Sequence, residues 1–190
     1  MKSIEAVKVL HHWCVGGRYL FRLKELGLLF GESGNTLKAT VRRLVSEGVL
    51  ERICRDVYKY ALTFRDGRSV VGDVAAFLRP GRYTYESFES AASQWGLISQ
   101  VPMRVTCATT GAPGEYDTPY GTIELTHVDR PGAEIVGRIA DREPESALPI
   151  ASRELALDDL LACKRTLELI DWEEVEDDDR LQEVRERYSR

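Results

Sequence analysis

Residues 23–60 read LKELGLLFGESGNTLKATVRRLVSEGVLERICRDVYKY, and the order of elements within them decides the fold. Leu37, Val41, Leu44 and Val45 recur at helical spacing between a polar start and Gly48, which predicts a helix with one apolar face. Ser33 or Asn35 caps its N-terminus by accepting from free backbone donors, and Gly48 supplies the stop. At about 100° per residue the opposite face carries Asn35, Ala39, Arg42 and Ser46, flanked by Thr36, Lys38 and Arg43, with no carboxylate before Glu47. Solvated helices usually mix their signs. A face of Arg, Lys, Asn and Thr instead matches phosphate oxygens and the major-groove edges of guanine and adenine.

The flanking segments complete a pattern. Leu23, Leu26, Leu28 and Leu29 form a first helix too short to be stable unless packed on its neighbours, and Gly31-Glu32-Ser33-Gly34 turns the chain. After the second helix, Val49–Ile53 and Val57–Tyr60 are β-branched and aromatic runs joined by the polar Arg55-Asp56, a hairpin with a basic tip. Tyr19-Leu20-Phe21 can pair with that hairpin, and Ser3–Trp13 forms a leading helix ended by Gly16-Gly17. Helix, turn, helix and wing in this order is how a small domain puts a basic helix into a DNA groove. On this reading Asn35, Thr36, Lys38, Arg42 and Arg43 enter the major groove, and Arg52, Arg55 and Lys59 touch adjacent backbone or minor groove. Arg42 and Asn35 are the expected base readers; the lysines are expected to meet phosphates.

Charge follows the same division. Residues 1–65 hold 12 Lys+Arg against 6 Asp+Glu, a net +6, whereas residues 66–190 hold 14 against 25, a net −11, within a whole-chain charge of −5. A basic module is drawn to phosphate backbone by counterion release, and an acidic remainder limits non-specific binding. The chain has 190 residues, 43% hydrophobic and 30% charged, enough for two small domains. Neither a charged-then-apolar leader nor an apolar run long enough to span a bilayer is present, so a cytoplasmic protein with no membrane partner is expected. Cys14, Cys54, Cys107 and Cys163 form no CxxC pair and have no histidine at ligand spacing; they are expected to be reduced and buried, without metal. His11 and His12, adjacent on a helix, point about 100° apart and cannot share an ion easily.

Beyond the polar turn Arg65-Asp66-Gly67-Arg68, the expected boundary, Gly72–Leu78 suggests a short helix halted by Arg79-Pro80-Gly81, and Tyr85–Trp95 a second. The period then changes. Met103–Thr109, Gly121–Val128 and Glu134–Ala140 are short β-rich runs that predict a small antiparallel sheet. From Ser152 a capping arrangement and Leu155, Leu157, Leu160, Leu161 and Leu167 predict a helix reaching about Ile170. Residues 171–190 are dominated by charge and are expected to be an acidic tail that can close in a short helix over Arg180–Tyr188. The expected fold class is α+β, with a winged helix-turn-helix at 1–65 followed by a mixed domain at 66–170, helices packed on an antiparallel sheet.

Specific stretches of this second part resemble the AbiEi antitoxin family. They are Tyr83–Ala91 (YTYESFESA), Trp95-Gly96-Leu97-Ile98, Val101-Pro102, Val105–Gly111 (VTCATTG), Thr118-Pro119-Tyr120-Gly121 and Ile150–Leu161 (IASRELALDDLL), within a similarity covering about residues 19–170. Members of that family repress their own two-gene operon through an N-terminal winged helix and counteract a nucleotidyltransferase toxin without forming a stable complex with it. The resemblance implies the same roles here, with double-stranded operator DNA as the physical partner and the toxin as the functional one. It carries over no catalytic residue, and the quoted motifs also read as packed helix and turn.

An enzyme reading finds little to stand on. Glu115 and Asp117 lie near Thr109-Thr110-Gly111, but adjacent helical carboxylates such as Asp158-Asp159 diverge, and no GxxxxGK[ST] loop is present to hold a nucleotide cofactor. His127 has no nucleophile partner. The rival expectation from another class is a protein-interaction module, whose acidic second domain captures a partner while the winged helix serves as scaffold.

Overall fold

The computed structural model describes residues 1–65, 67–140 and 146–189. Asp66, inside the expected boundary turn, and Arg190, at the end of the expected tail, lie outside the described residues. The chain forms two compact units, Met1–Asp66 and Gly67–Arg190. It is an α+β protein with two sheets and, among the described residues, nine α-helices, none long and apolar enough to cross a membrane.

The first unit runs α1 (Ser3–Val15), β1 (Leu20–Arg22), α2 (Leu23–Phe30), α3 (Gly34–Ser46), β2 (Leu50–Cys54) and β3 (Val57–Tyr60). β3 is the central strand of a three-stranded antiparallel sheet, with Leu20 and Glu51 on either side of Lys59. The hairpin turns at Arg55-Asp56, where Asp56 takes a left-handed conformation (φ 66°), and a bulge lies between Arg52 and Cys54. Leu10, Phe21, Leu26, Leu44, Leu50, Val57 and Tyr60 are buried around the sheet. That apolar face, not propensity, holds the eight residues of α2 helical.

The α2-to-α3 crossing depends on Gly27, a position the sequence pattern does not single out. Its carbonyl accepts from the N–H groups of Gly31 and Glu32, closing α2 with Gly31 left-handed at φ 63°. A Cβ on Gly27 would lie 2.9 Å from the Glu32 carbonyl oxygen and 3.0 Å from Leu37 Cδ2. Backbone cannot yield as a side-chain tip does, so Gly27→Ala should cost roughly 1–3 kcal/mol by overpacking, against about 1 kcal/mol gained in helix propensity. The expected outcome is faster hydrogen exchange of the α2 and α3 amides in the variant; unchanged protection would show that the crossing has slack.

The second unit contains α4 (Gly67–Leu78), β4 (Thr84–Glu86), α5 (Phe88–Gln94), β5 (Arg104–Thr109), β6 (Gly114–Thr118), β7 (Gly121–His127), α6 (Gly132–Val136) and α7 (Arg153–Cys163). A 3-10 turn at Leu167–Leu169, α8 (Trp172–Glu176) and α9 (Asp179–Glu186) follow. The sheet order is β4-β5-β7-β6. The expected all-antiparallel sheet is corrected: β5 and β7 run parallel, because β6 reverses the chain outermost and β7 returns between it and β5. The sequence pattern does not mark β6 as a strand, since its Gly-Glu-Tyr-Asp-Thr lacks an apolar run.

Three further expectations in this unit are corrected. Glu134–Ala140 is not a strand; its first part belongs to α6, one helical turn entered through Pro131 and anchored by buried Ile135. The expected helix Tyr85–Trp95 begins only at Phe88, because Tyr85 and Ser87, two residues apart and therefore on one face of an extended chain, both donate to Asp159. The expected helix to Ile170 stops at Cys163, where Lys164 turns left-handed (φ 52°) and Arg165 swings onto Glu89, Glu124 and Thr126.

Residues 171–189 are not a free tail. Asp171 caps α8 and Asp178 caps α9 by accepting from first-turn N–H groups, so part of the acidic run serves as N-caps. Val175, Leu181 and Val184 are buried with Leu155, Leu157 and Leu160 of α7 in one cluster, and the Tyr188 hydroxyl donates to Asp158 at 2.6 Å. Asp158 and Asp159 do not simply diverge: Arg130 bridges them, at 3.1 Å and 2.8 Å. Of the four cysteines, all free thiols, Cys107 is buried, Cys14 and Cys54 are half-buried and Cys163 is exposed, which corrects the expectation that all are buried.

Candidate nucleic-acid interface

α3 presents the residues that the helical spacing singles out. Its inner face buries Leu37, Thr40, Val41 and Leu44, so the helix can show solvent only the other side, where Asn35, Thr36, Lys38, Ala39, Arg42 and Ser46 are all exposed. No acidic residue occurs on α3 itself. Neither expected cap is used in the expected way: Ser33 occupies the N-cap position with extended backbone but its hydroxyl caps nothing, and Asn35 lies inside the helix facing outward. Arg52 and Arg55 are exposed on the β2–β3 hairpin, and the left-handed Asp56 keeps that turn tight. Among the described residues, neither Arg42 nor Arg55 enters an ion pair.

Two of the expected contact residues are placed elsewhere. Lys59 is 4% exposed, in the central strand, and its ammonium pairs with Glu51 at 3.3 Å. A buried, paired ammonium cannot reach a phosphate without leaving Glu51 uncompensated. Arg43 is turned away from the outward face toward α1: its guanidinium donates to the Ser3 hydroxyl, to the Met1 carbonyl at 2.5 Å and to Glu47 at 3.3 Å. The Ser3 hydroxyl in turn donates to Glu47 at 2.5 Å. That Ser3 hydroxyl and the Arg43 guanidinium hold the Glu47 carboxyl below the usual carboxylate range. Glu32, in the turn before α3, is lowered likewise by the Met1 amino group and the Thr40 hydroxyl.

The i,i+4 pairing of Arg43 with Glu47 is visible in the sequence. Ser3 lies 40 residues upstream, and nothing local signals its contact. What remains outward is a compact set of donors in two places, Asn35, Thr36, Lys38 and Arg42 on α3, and Arg52 and Arg55 on the hairpin. Such donors can bind phosphate oxygens, and Arg and Asn can each make paired hydrogen bonds to a purine edge.

The second unit offers less for chemistry. A groove of about 240 Å³, lined by Val71, Ser90, Gln94, Val101, Met103, Arg104 and Tyr120, is smaller than usual small-molecule sites, and its Arg104 is tied to Glu115 and Glu124. Glu115 and Asp117 belong to β6, and His127 is engaged with the Gly111 carbonyl at 2.9 Å. No grouping of three or more His, Cys, Asp or Glu suited to a metal occurs among the described residues.

A scan against protein-family models and a search of curated proteins each gave no match. Among solved structures the chain is similar to "Crystal structure of RV2827C protein from Mycobacterium tuberculosis", with a TM-score of 0.59 and 14% sequence identity, covering 95% of this chain and 71% of that one. At that identity the likeness bears on the fold alone.

Proposed function

We propose that the N-terminal unit is a winged helix-turn-helix that binds double-stranded DNA, and that the chain is an antitoxin repressing its own operon. The observation that carries the first half is the outward face of α3, where Asn35, Thr36, Lys38 and Arg42 are exposed without a carboxylate among them. α3 supplies the helix for the major groove, and Arg52 and Arg55 on the hairpin meet flanking backbone or minor groove. Arg42 and Asn35 read bases, and Lys38 positions the complex on phosphate. The antitoxin half rests on the AbiEi-like text of the second unit, and it makes a nucleotidyltransferase toxin the functional partner.

Fluorescence anisotropy with duplex from upstream of the chain's own gene tests the reading. Binding is expected to exceed that to a scrambled duplex and to weaken steeply with salt, in proportion to the phosphates neutralised. Equal binding to both duplexes would sink the repressor assignment. Co-expression with a neighbouring nucleotidyltransferase should restore growth without co-purification. A stoichiometric complex would favour direct capture, a reading that the exposed Val101 and Met103 of the second unit, 82% and 96% accessible, also support.

A further inference from the structure

We infer that Arg43 is a positioning residue, which sets the roll of α3 about its own axis and so aims Asn35 and Arg42; the inference rests on the DNA-binding reading. α3 is fastened to its unit by two kinds of contact. Leu37, Val41 and Leu44 are buried and fix which face of the helix turns outward, but such contacts are non-directional and leave small changes of roll only weakly resisted. The polar contacts are directional and lie on one flank. Arg43 donates to the Met1 carbonyl and the Ser3 hydroxyl at the start of α1, and the Ser3 hydroxyl bridges onward to Glu47, one turn beyond Arg43. This flank is thus tied, through Arg43 and Glu47, to the start of α1.

The planar guanidinium makes this clasp stiff, because its donors are fixed relative to one another and engage three acceptors in different directions. Arg42 is next in sequence but about 100° around the helix, on the outward face. A change in roll therefore shifts the reach of Arg42 directly, and sites of this kind tolerate only small errors of placement. Arg43 and Glu47 side chains are 39% and 40% exposed, so their ion pair adds little to stability, and the clasp acts on orientation.

The test compares wild type, Arg43→Ala, Ser3→Ala and Arg55→Ala on a duplex selected by the wild-type chain from a random-sequence library. Arg43→Ala is expected to weaken binding to the selected duplex roughly tenfold while leaving the slope against salt and the binding to a scrambled duplex unchanged. Ser3→Ala, which deletes only the hydroxyl and keeps the fold, should repeat this pattern in weaker form, whereas Arg55→Ala should lower the salt slope by about 0.9. A lowered slope in Arg43→Ala would make Arg43 a phosphate contact and overturn the inference, as would unchanged affinity in both clasp variants. If the wild-type chain selects no duplex, the DNA-binding reading itself fails, and this inference with it.

Discussion

Arg42→Ala is expected to weaken binding to a specific duplex by roughly 1–3 kcal/mol, about five- to 160-fold, and to relax base preference at one position of the site. Arg42 is exposed on α3, and its removal costs the fold little, since surface substitutions away from special features stay within about 0.5 kcal/mol. The loss therefore appears in binding and not in unfolding. The salt slope separates two modes of action. A guanidinium forked onto guanine leaves the slope in place, whereas one on phosphate lowers it by about 0.9. Binding-site selection with wild type and variant measures both quantities. Unchanged affinity together with an unchanged selected sequence would remove Arg42 from the interface.

Arg130→Ala should have the largest effect on stability. Asp159 is fully buried and accepts from Tyr85 at 3.0 Å, Ser87 at 2.7 Å and Arg130 at 2.8 Å. Arg130 is the cation of that site and also reaches Asp158 at 3.1 Å and Glu134 at 2.5 Å. Removing one partner of a buried pair leaves an uncompensated charge, a cost of about 3–5 kcal/mol against a typical total of about 5–15 kcal/mol. Burial already pushes the Asp159 carboxyl up, against the Ser87 hydroxyl and Arg130, which favour its charged form. Burial also raises Asp158, but the Tyr188 hydroxyl and Arg138 outweigh it and hold that carboxyl low.

The sign of the pH dependence follows. Without Arg130 the folded state favours protonated Asp159 more strongly than the unfolded state does, so the defect is largest at neutral pH and shrinks as pH falls toward the carboxylate range. Urea unfolding at two pH values reads this. An unchanged midpoint at neutral pH, or a deficit that grows on acidification, would contradict the account. The DNA binding proposed for the first unit is expected to be unaffected, because no residue of α3 or the hairpin belongs to this network.

The elements of the first unit were legible because each is written in local pattern. A period of 3.6 marks Leu37, Val41 and Leu44 as the inner face of α3, which leaves Asn35 and Arg42 outside, and β-branched and aromatic runs around Arg55-Asp56 specify a hairpin. The second unit was less legible where a distant partner decides local structure. Tyr85 and Ser87 lie in a stretch with helical text, yet Asp159, more than seventy residues away, holds both and makes the chain extended there. Val175, Leu181 and Val184 are too few among charges to advertise the helices that α7 stabilises.

Within the candidate interface the same division holds. By itself the sequence determined which residues α3 turns outward, because helical geometry and a single apolar stripe leave only one arrangement. Only the tertiary structure decided which cations are at liberty to act there. Arg42 and Arg43 are chemically identical neighbours, but one faces solvent and the other is held by Ser3, Met1 and Glu47, and Lys59 lies buried against Glu51. Charge is written in the sequence, whereas its availability depends on partners that folding brings from 40 residues away.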